Sequence, residues 1–102
     1  MFLSSRIVRI LASIGLLSLV ALAGCVTSAP VQEMSDARQA IAAAEEADAA
    51  ALAPAVLDEA NRYLSQAEQQ LRQEDYGLAR ANAVRAKNRA VEALTTAQAE
   101  SD

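Results

Sequence analysis

The sequence predicts an all-α protein, and three observations lead to this prediction. Alanine, which has the highest intrinsic helix propensity, dominates the chain after residue 35. Small and aliphatic side chains recur there at spacings of three and four, which is the period of one helix face. Two breaks, at Pro54 and at residues 74–77, divide this pattern into three segments. We therefore expect three helices in a single domain, residues 36–99.

The first segment predicts a helix at about residues 36–51. Ser35 is a suitable N-cap, and Asp36 places a negative charge in the first turn, where the helix dipole favours it. The other face of this helix is acidic and carries Glu45, Glu46 and Asp48. Its small-residue stripe consists of Ala37, Ala40, Ala44, Ala47 and Ala51, with Ile41 beside it.

Pro54 begins the second predicted helix, at about residues 54–73, because proline fits the first turn but keeps the preceding residue out of the helical region. One face of this helix alternates large and small side chains: Leu57, Ala60, Leu64, Ala67 and Leu71. The break that follows has two interpretations. Either Gly77 closes the second helix, or Asp75 caps the third helix with Tyr76 in its opening turn.

The third helix is predicted at about residues 76–97. Its stripe consists of Ala79, Ala83, Ala86, Ala90, Ala93 and Ala97. Leucines of the second helix fit against these alanines, so we expect an antiparallel helical hairpin on which the first helix packs loosely, a small alanine-rich three-helix bundle. A parallel trimeric coiled coil is the alternative, but it is disfavoured by Pro54, by Gly77 and by alanine at seam positions.

The N-terminal segment has the layout of a secretory signal. Arg6 and Arg9 precede an uncharged run over residues 10–24. This run of about 15 residues is shorter than the ~20 that a membrane-spanning helix needs. We therefore expect residues 1–24 to be a signal peptide that is removed. A signal anchor that stays in the membrane, with an idle thiol at Cys25, is the alternative.

The residues Leu22-Ala23-Gly24-Cys25 resemble the lipobox of bacterial lipoproteins. The resemblance implies cleavage by signal peptidase II between Gly24 and Cys25, and a lipid anchor of S-diacylglycerol and N-linked acyl (palmitate) on Cys25. Val26, where retained lipoproteins carry Asp, implies the outer membrane, facing the periplasm. Residues 25–35 would then form a tether that reaches at most about 35 Å.

Composition limits the function of the mature chain. Residues 1–24 contain two arginines and no acidic residue, so their removal leaves 78 residues with 7 basic and 13 acidic side chains, a net charge of −6. An acidic exported protein is not expected to bind nucleic acid. Such an alanine-rich bundle buries little apolar area per residue and is marginally stable alone, so a homo-oligomer or a partner is a further expected source of stability.

Catalysis is not expected. Histidine is absent and the single cysteine is assigned to the lipid, so the usual general base and metal ligands are missing, and no disulfide can form. The carboxylate pairs are sequence neighbours that point about 100° apart on a helix. We interpret them as solvated positions; they are Glu45-Glu46, Asp58-Glu59 and Glu74-Asp75. No metal or cofactor besides the lipid anchor on Cys25 is expected.

The third helix carries the candidate surface-binding residues Arg80, Arg85, Lys87 and Arg89. These side chains could bind anionic lipid head groups or cell-wall polymer, or they could be a solvated face that pairs with the acidic first helix. Two functional hypotheses follow. The chain is either an adaptor that binds an envelope protein through its alanine-rich helices, or a non-covalent tether to peptidoglycan or another anionic surface.

Residues 37–94 are similar to the alanine-rich lipoprotein family known as domain of unknown function 4398. The resemblance is carried by three motifs, Ala53-Pro54, Ala60-x-x-x-Leu64-x-x-Ala67-x-x-x-Leu71 and Asp75-Tyr76-x-x-Ala79-x-x-x-Ala83-x-x-Ala86. Members of that family often precede an OmpA-like peptidoglycan-binding domain. The residues up to Asp102 leave no room for such a domain, so cell-wall binding by that route is not expected.

Overall fold

The computed structural model describes residues 28–102, and this part of the chain is an all-α bundle. Its helices, in chain order, are α1 (Val31–Glu46), α2 (Ala49–Leu52), α3 (Pro54–Arg72) and α4 (Tyr76–Ser101). No strand is found within residues 28–102. None of the helices described there has the length and apolar character needed to cross a membrane.

Buried side chains from different helices fix the direction of each helix. Met34, Ala67 and Ala83 pack together where α1 begins, α3 nears its end and α4 begins. Ile41 and Ala97 belong to a second cluster, where α1 and α4 end. Hence α3 and α4 form the predicted antiparallel hairpin, and α1 runs parallel to α4. We call the end of the bundle with the α3–α4 turn the turn end, and the opposite end the α2 end.

The start of α1 differs from the sequence-based prediction. The helix begins at Val31, five residues before the predicted start, and Ser35 lies inside it, accepting a hydrogen bond from the Gln39 amide at 3.1 Å. Ser35 is therefore not the N-cap. The physical reason is tertiary packing, because Pro30 and Met34 are less than 3% exposed and draw these residues into the bundle.

The first predicted helix is also interrupted near its end. α1 stops at Glu46, and Asp48 adopts the left-handed conformation with φ of 62°, which aspartate tolerates better than most residues. The short helix α2 follows. This turn ends the regular helical spacing of the small-residue stripe. Ala49 is therefore fully buried, whereas Ala51, which the pattern assigned to the core, is exposed.

α1 contributes its own side chains to the core. Its Ala37 and Ala44 have no exposed surface, and its Ile41 is 6% exposed. Four side chains of α1 are buried in all. The bundle therefore has three long helices, with α1 packed on the predicted hairpin of α3 and α4.

The turn between α3 and α4 decides between the two interpretations given above. Glu74 has a φ of 60°, α4 begins at Tyr76, and the Asp75 carbonyl accepts a hydrogen bond from the Ala79 amide at 3.0 Å. Gly77 lies inside α4, so the glycine does not close α3. Asp75 occupies the N-cap position of α4, although its side chain makes no capping hydrogen bond.

The alanine stripe of α4 forms the centre of the bundle. All six predicted alanines have 0% exposure: Ala79, Ala83, Ala86, Ala90, Ala93 and Ala97. Helices α1 and α3 cover this stripe from two sides. The stripe is therefore confirmed as core, and α4 continues beyond its predicted end to Ser101.

Candidate functional site

The four basic residues that the sequence singles out on α4 do not form one surface. Arg80 and Lys87 are seven residues apart, nearly two helical turns, so they lie on one flank of the alanine stripe. Arg85 and Arg89, four residues apart, lie on the other flank. The ion pairs agree with this division, because Arg80 contacts α1 whereas Arg89 contacts α3.

Arg80 joins three parts of the chain at the turn end. Its Nε donates a hydrogen bond to Oε1 of Glu33 in α1 at 3.1 Å. Its Nη2 donates to the carbonyl oxygen of Ser28, also at 3.1 Å. The side chains of Arg80 and Glu33 are 39% and 31% exposed, so solvent screens this ion pair only in part. Arg80 therefore holds the N-terminal segment against the beginning of α4.

An ion pair does join α1 to the basic residues of α4, but the carboxylate is not one of those on the predicted acidic face of α1. Within the described residues, Glu45, Glu46 and Asp48 make no ion pair, and all three are exposed. The contact between α1 and α4 uses Glu33 instead, in the first turn of α1. The reason is that α1 begins earlier than predicted and so brings a different carboxylate beside α4.

Arg85 and Arg89 border an open groove of about 300 Å3 between α3 and α4. Tyr63 of α3 lines it with Asn88 and Glu92 of α4. The groove thus offers one aromatic ring, two guanidinium groups, one amide and one carboxylate. Such a set can hydrogen-bond and stack with a polar ligand, but it contains no nucleophile paired with a base.

The charge of Arg89 in this groove is largely balanced. Its Nη1 donates to Oε2 of Glu92 at 2.7 Å, and its Nε lies 3.7 Å from Oε2 of Glu59. The hydrogen bond to Glu92, followed by the negative charge of Glu59, raises the pKa of Arg89 above its usual value. Arg85 instead donates to the amide oxygen of Asn82 at 3.1 Å, so its charge is the less neutralised of the two.

Asn82 is a polar residue of this region that the sequence analysis missed. It is only 5% exposed, and its Nδ2 donates to Oε1 of Gln70 on α3 at 2.8 Å while its Oδ1 accepts from Arg85. A satisfied polar pair inside an apolar seam favours one register of two helices over its neighbours. The sequence contained a signal for the burial of Asn82, because this residue lies three positions after Ala79 and four before Ala86, the same spacing as in the alanine stripe.

The alanine stripe does not provide an open groove for a partner, because Ala83 and Ala86 are covered by the other helices of the chain. The apolar side chains left at the surface lie elsewhere. On the outer face of α4, Val84 and Val91 are 42% and 45% exposed and lie one heptad apart. A binding surface on this alanine-rich helix would therefore be its outer face.

Two further predictions concern chemistry and processing. In the described part of the chain, no three acidic or cysteine side chains are grouped so that they could hold a metal ion. The predicted lipidation and cleavage positions, Gly24 and Cys25, lie outside the described residues, as do residues 1–23. These positions stay predictions.

A comparison with protein families finds one relationship. A family model described as Domain of unknown function (DUF4398) matches residues 32–102. The match extends at both ends beyond residues 37–94, the range of the resemblance seen in the sequence, and includes nearly all of the helical bundle. No curated protein and no solved structure matches the chain.

Proposed function

We propose, from the premise that this chain belongs to the DUF4398 family, that it is a lipid-anchored structural module of the bacterial envelope. It performs no catalysis, and it binds an envelope protein. Cys25 carries the S-diacylglycerol and N-acyl groups after cleavage at Gly24, and the bundle faces the periplasm from the outer membrane. The lipobox-like residues 22–25, behind two arginines and a short apolar run, support the anchoring part of the proposal.

The observation that carries the binding part is the pair of valines outside the core. Val84 and Val91 lie on the outer face of α4 and keep 42% and 45% of their surface exposed, while the small residues of the same helix face inward. Side chains one heptad apart on an exposed helix face match the spacing that a partner helix requires. We therefore assign partner binding to the outer face of α4 rather than to its alanine stripe.

A photocrosslinking amino acid in place of Val91, in the full chain in cell membranes, tests this assignment. We expect a discrete adduct with an envelope protein, because the side chain lies within the proposed contact. The same substitution at Gln66, which is exposed on α3, is the matched control and should give no such adduct.

A second change sharpens the experiment. Val84→Glu, combined with the crosslinker at position 91, should remove most of the adduct, because a carboxylate would be buried without a partner in the apolar contact. The bundle itself should keep its helix content, since Val84 is 42% exposed. Equal adducts from positions 66 and 91 would contradict the assignment of the surface.

A non-covalent cell-wall tether is the second candidate function, and the groove between α3 and α4 favours it. The groove combines Tyr63, Asn88 and Arg85, a set that suits the hydroxyl, amide and carboxylate groups of a peptide-bearing polysaccharide. The carboxylates of Glu59 and Glu92 offset the charge of Arg89. The groove is therefore suited to a polar polymer more than to a strongly anionic surface.

Sedimentation with purified cell-wall sacculi tests the second function. Arg85→Glu should reduce the co-sedimenting fraction several-fold, because it places a third carboxylate beside the groove. Lys87→Glu is the matched control, with the same change of charge on the other flank of α4, and should leave the fraction unchanged. Equal losses from both variants would indicate attraction by overall charge and count against a specific groove.

A further inference from the structure

The N-terminal segment of the bundle is held at the turn end by Arg80. This guanidinium binds the carbonyl oxygen of Ser28 and the carboxylate of Glu33, at 3.1 Å in each case. Pro30, between these two residues, is almost completely buried. The chain therefore enters the bundle at a fixed place, beside the first turns of α4.

The sequence distance from this place to the proposed lipid anchor is short. Only Val26 and Thr27 separate Cys25 from Ser28. An extended chain covers ~3.3–3.6 Å per residue, so the Cα atoms of Cys25 and Ser28 are at most about 11 Å apart. The predicted tether over residues 25–35 would have allowed about three times that distance. The anchor must therefore lie next to the turn end.

The α2 end is far from the anchor by the same reasoning. α4 continues from Arg80 to Ser101, which at 1.5 Å per residue is about 32 Å of helix. A lipid on Cys25 would be attached within about 11 Å of Ser28. If the turn end faces the bilayer, the α2 end therefore lies far from the bilayer.

Two aliphatic side chains are exposed at the turn end. Val31 in the first turn of α1 is 71% exposed, and Leu78 in the first turn of α4 is 51% exposed. We call the contacts of Arg80 with Ser28 and Glu33 the clamp. Val31 and Leu78 precede Glu33 and Arg80 by two residues each, so both lie at the same end of the bundle as the clamp but on other sides of their helices. Single exposed aliphatic residues are ordinary on a protein surface. These two lie where the anchor would hold the protein against lipid, an environment that favours their burial.

We propose that the turn end of the bundle rests on the bilayer surface, with Val31 and Leu78 in contact with the lipid head-group region and the α2 end directed away from the membrane. The inference rests on the proposed acylation of Cys25. Glu74 and Asp75 are exposed in the same turn, so the surface suits zwitterionic lipid better than anionic lipid.

Fluorescence quenching in vesicles tests the orientation. The full acylated chain carries one new cysteine, from Leu78→Cys or from Leu52→Cys, labelled with the same fluorophore. Leu52 is the matched control, an exposed leucine at the α2 end. In vesicles of zwitterionic phospholipid that contain a head-group quencher, we expect quenching at position 78 to exceed that at position 52 several-fold. Equal quenching, or stronger quenching at position 52, would overturn the inference.

Two further measurements separate the causes of failure. Mass spectrometry of the N-terminal peptide reports acylation independently, so an unacylated chain would overturn the proposed anchoring and this inference together. An acylated chain without preferential quenching at position 78 would overturn the inference alone. Arg80→Gln, which removes the guanidinium that holds Ser28 and Glu33, should reduce the quenching at position 78. Unchanged quenching in this variant would contradict the role assigned to the clamp.

Discussion

Replacing Ala44 with leucine should lower the free energy of unfolding by about 1–3 kcal/mol. Ala44 has no exposed surface and packs in the cluster where α1, α3 and α4 meet. A leucine there must push closely spaced helices apart or adopt a strained rotamer. For a domain of this size, each kcal/mol corresponds to roughly 4–8 °C in Tm, so thermal unfolding followed by circular dichroism measures the effect directly.

Ala42→Leu is the matched control, because this alanine lies in the same helix but is exposed. Alanine and leucine have similar helix propensities, so the control should change Tm by only a few degrees. Ala86→Leu in α4 should behave like Ala44→Leu, since Ala86 is fully buried as well. Any loss of partner binding in Ala86→Leu would therefore report unfolding. Similar Tm values for Ala44→Leu and Ala42→Leu would contradict close packing at the stripe.

The proposed lipidation of Cys25 predicts that replacing this residue with serine abolishes acylation of the chain completely. A hydroxyl cannot take the place of the thiol that forms the thioether, and cleavage by signal peptidase II follows acylation. The variant should therefore accumulate as a precursor that keeps residues 1–24 and incorporates no labelled palmitate. Gel mobility and palmitate labelling in cells measure the two consequences separately.

Thr27→Ser is a suitable control for this experiment, because it makes a small change just outside the lipobox-like residues 22–25. It should be cleaved and labelled like the original chain. A Cys25→Ser chain that is processed and labelled normally would refute the assignment of the anchor. Loss of labelling in both variants would point to a general defect of export.

Much of the fold follows from the sequence because the determining signals are local. The spacing of alanines in α4 specifies a continuous buried stripe, and each predicted alanine is found in the core. Pro54 fixes the start of α3 at the first residue of the helix. Both signals act within one or two helical turns, so they can be recognised without knowledge of tertiary contacts.

The remaining features depend on residues that are distant in sequence. Arg80 contacts Glu33 and Ser28 across 47 and 52 residues. No local rule predicts that pairing. Because the pairing was not foreseen, the start of α1 at Val31 was not predicted either. The left-handed conformation of Asp48 is a local feature, but many aspartates do not adopt it, so its position could not be predicted.

The candidate groove was predicted only in part, for the same reason. Arg85 and Arg89 were recognised as basic positions, but the carboxylates that balance Arg89 come from α3 as well as from α4. The division of the four basic residues between two flanks follows from helical geometry and could have been derived. The hydrogen bond between Asn82 and Gln70 could not, because it depends on the register of the hairpin.

An interior built from methyl groups also has a thermal consequence. The heat capacity of unfolding grows with the apolar area that becomes exposed, and alanine exposes little. We therefore expect a heat-capacity increment below the usual ~12–15 cal/mol/K per residue, which makes the dependence of stability on temperature flatter. Alanine also has no rotamer entropy to lose on folding. Such a bundle has a low maximum stability but retains most of it over a wide range of temperatures.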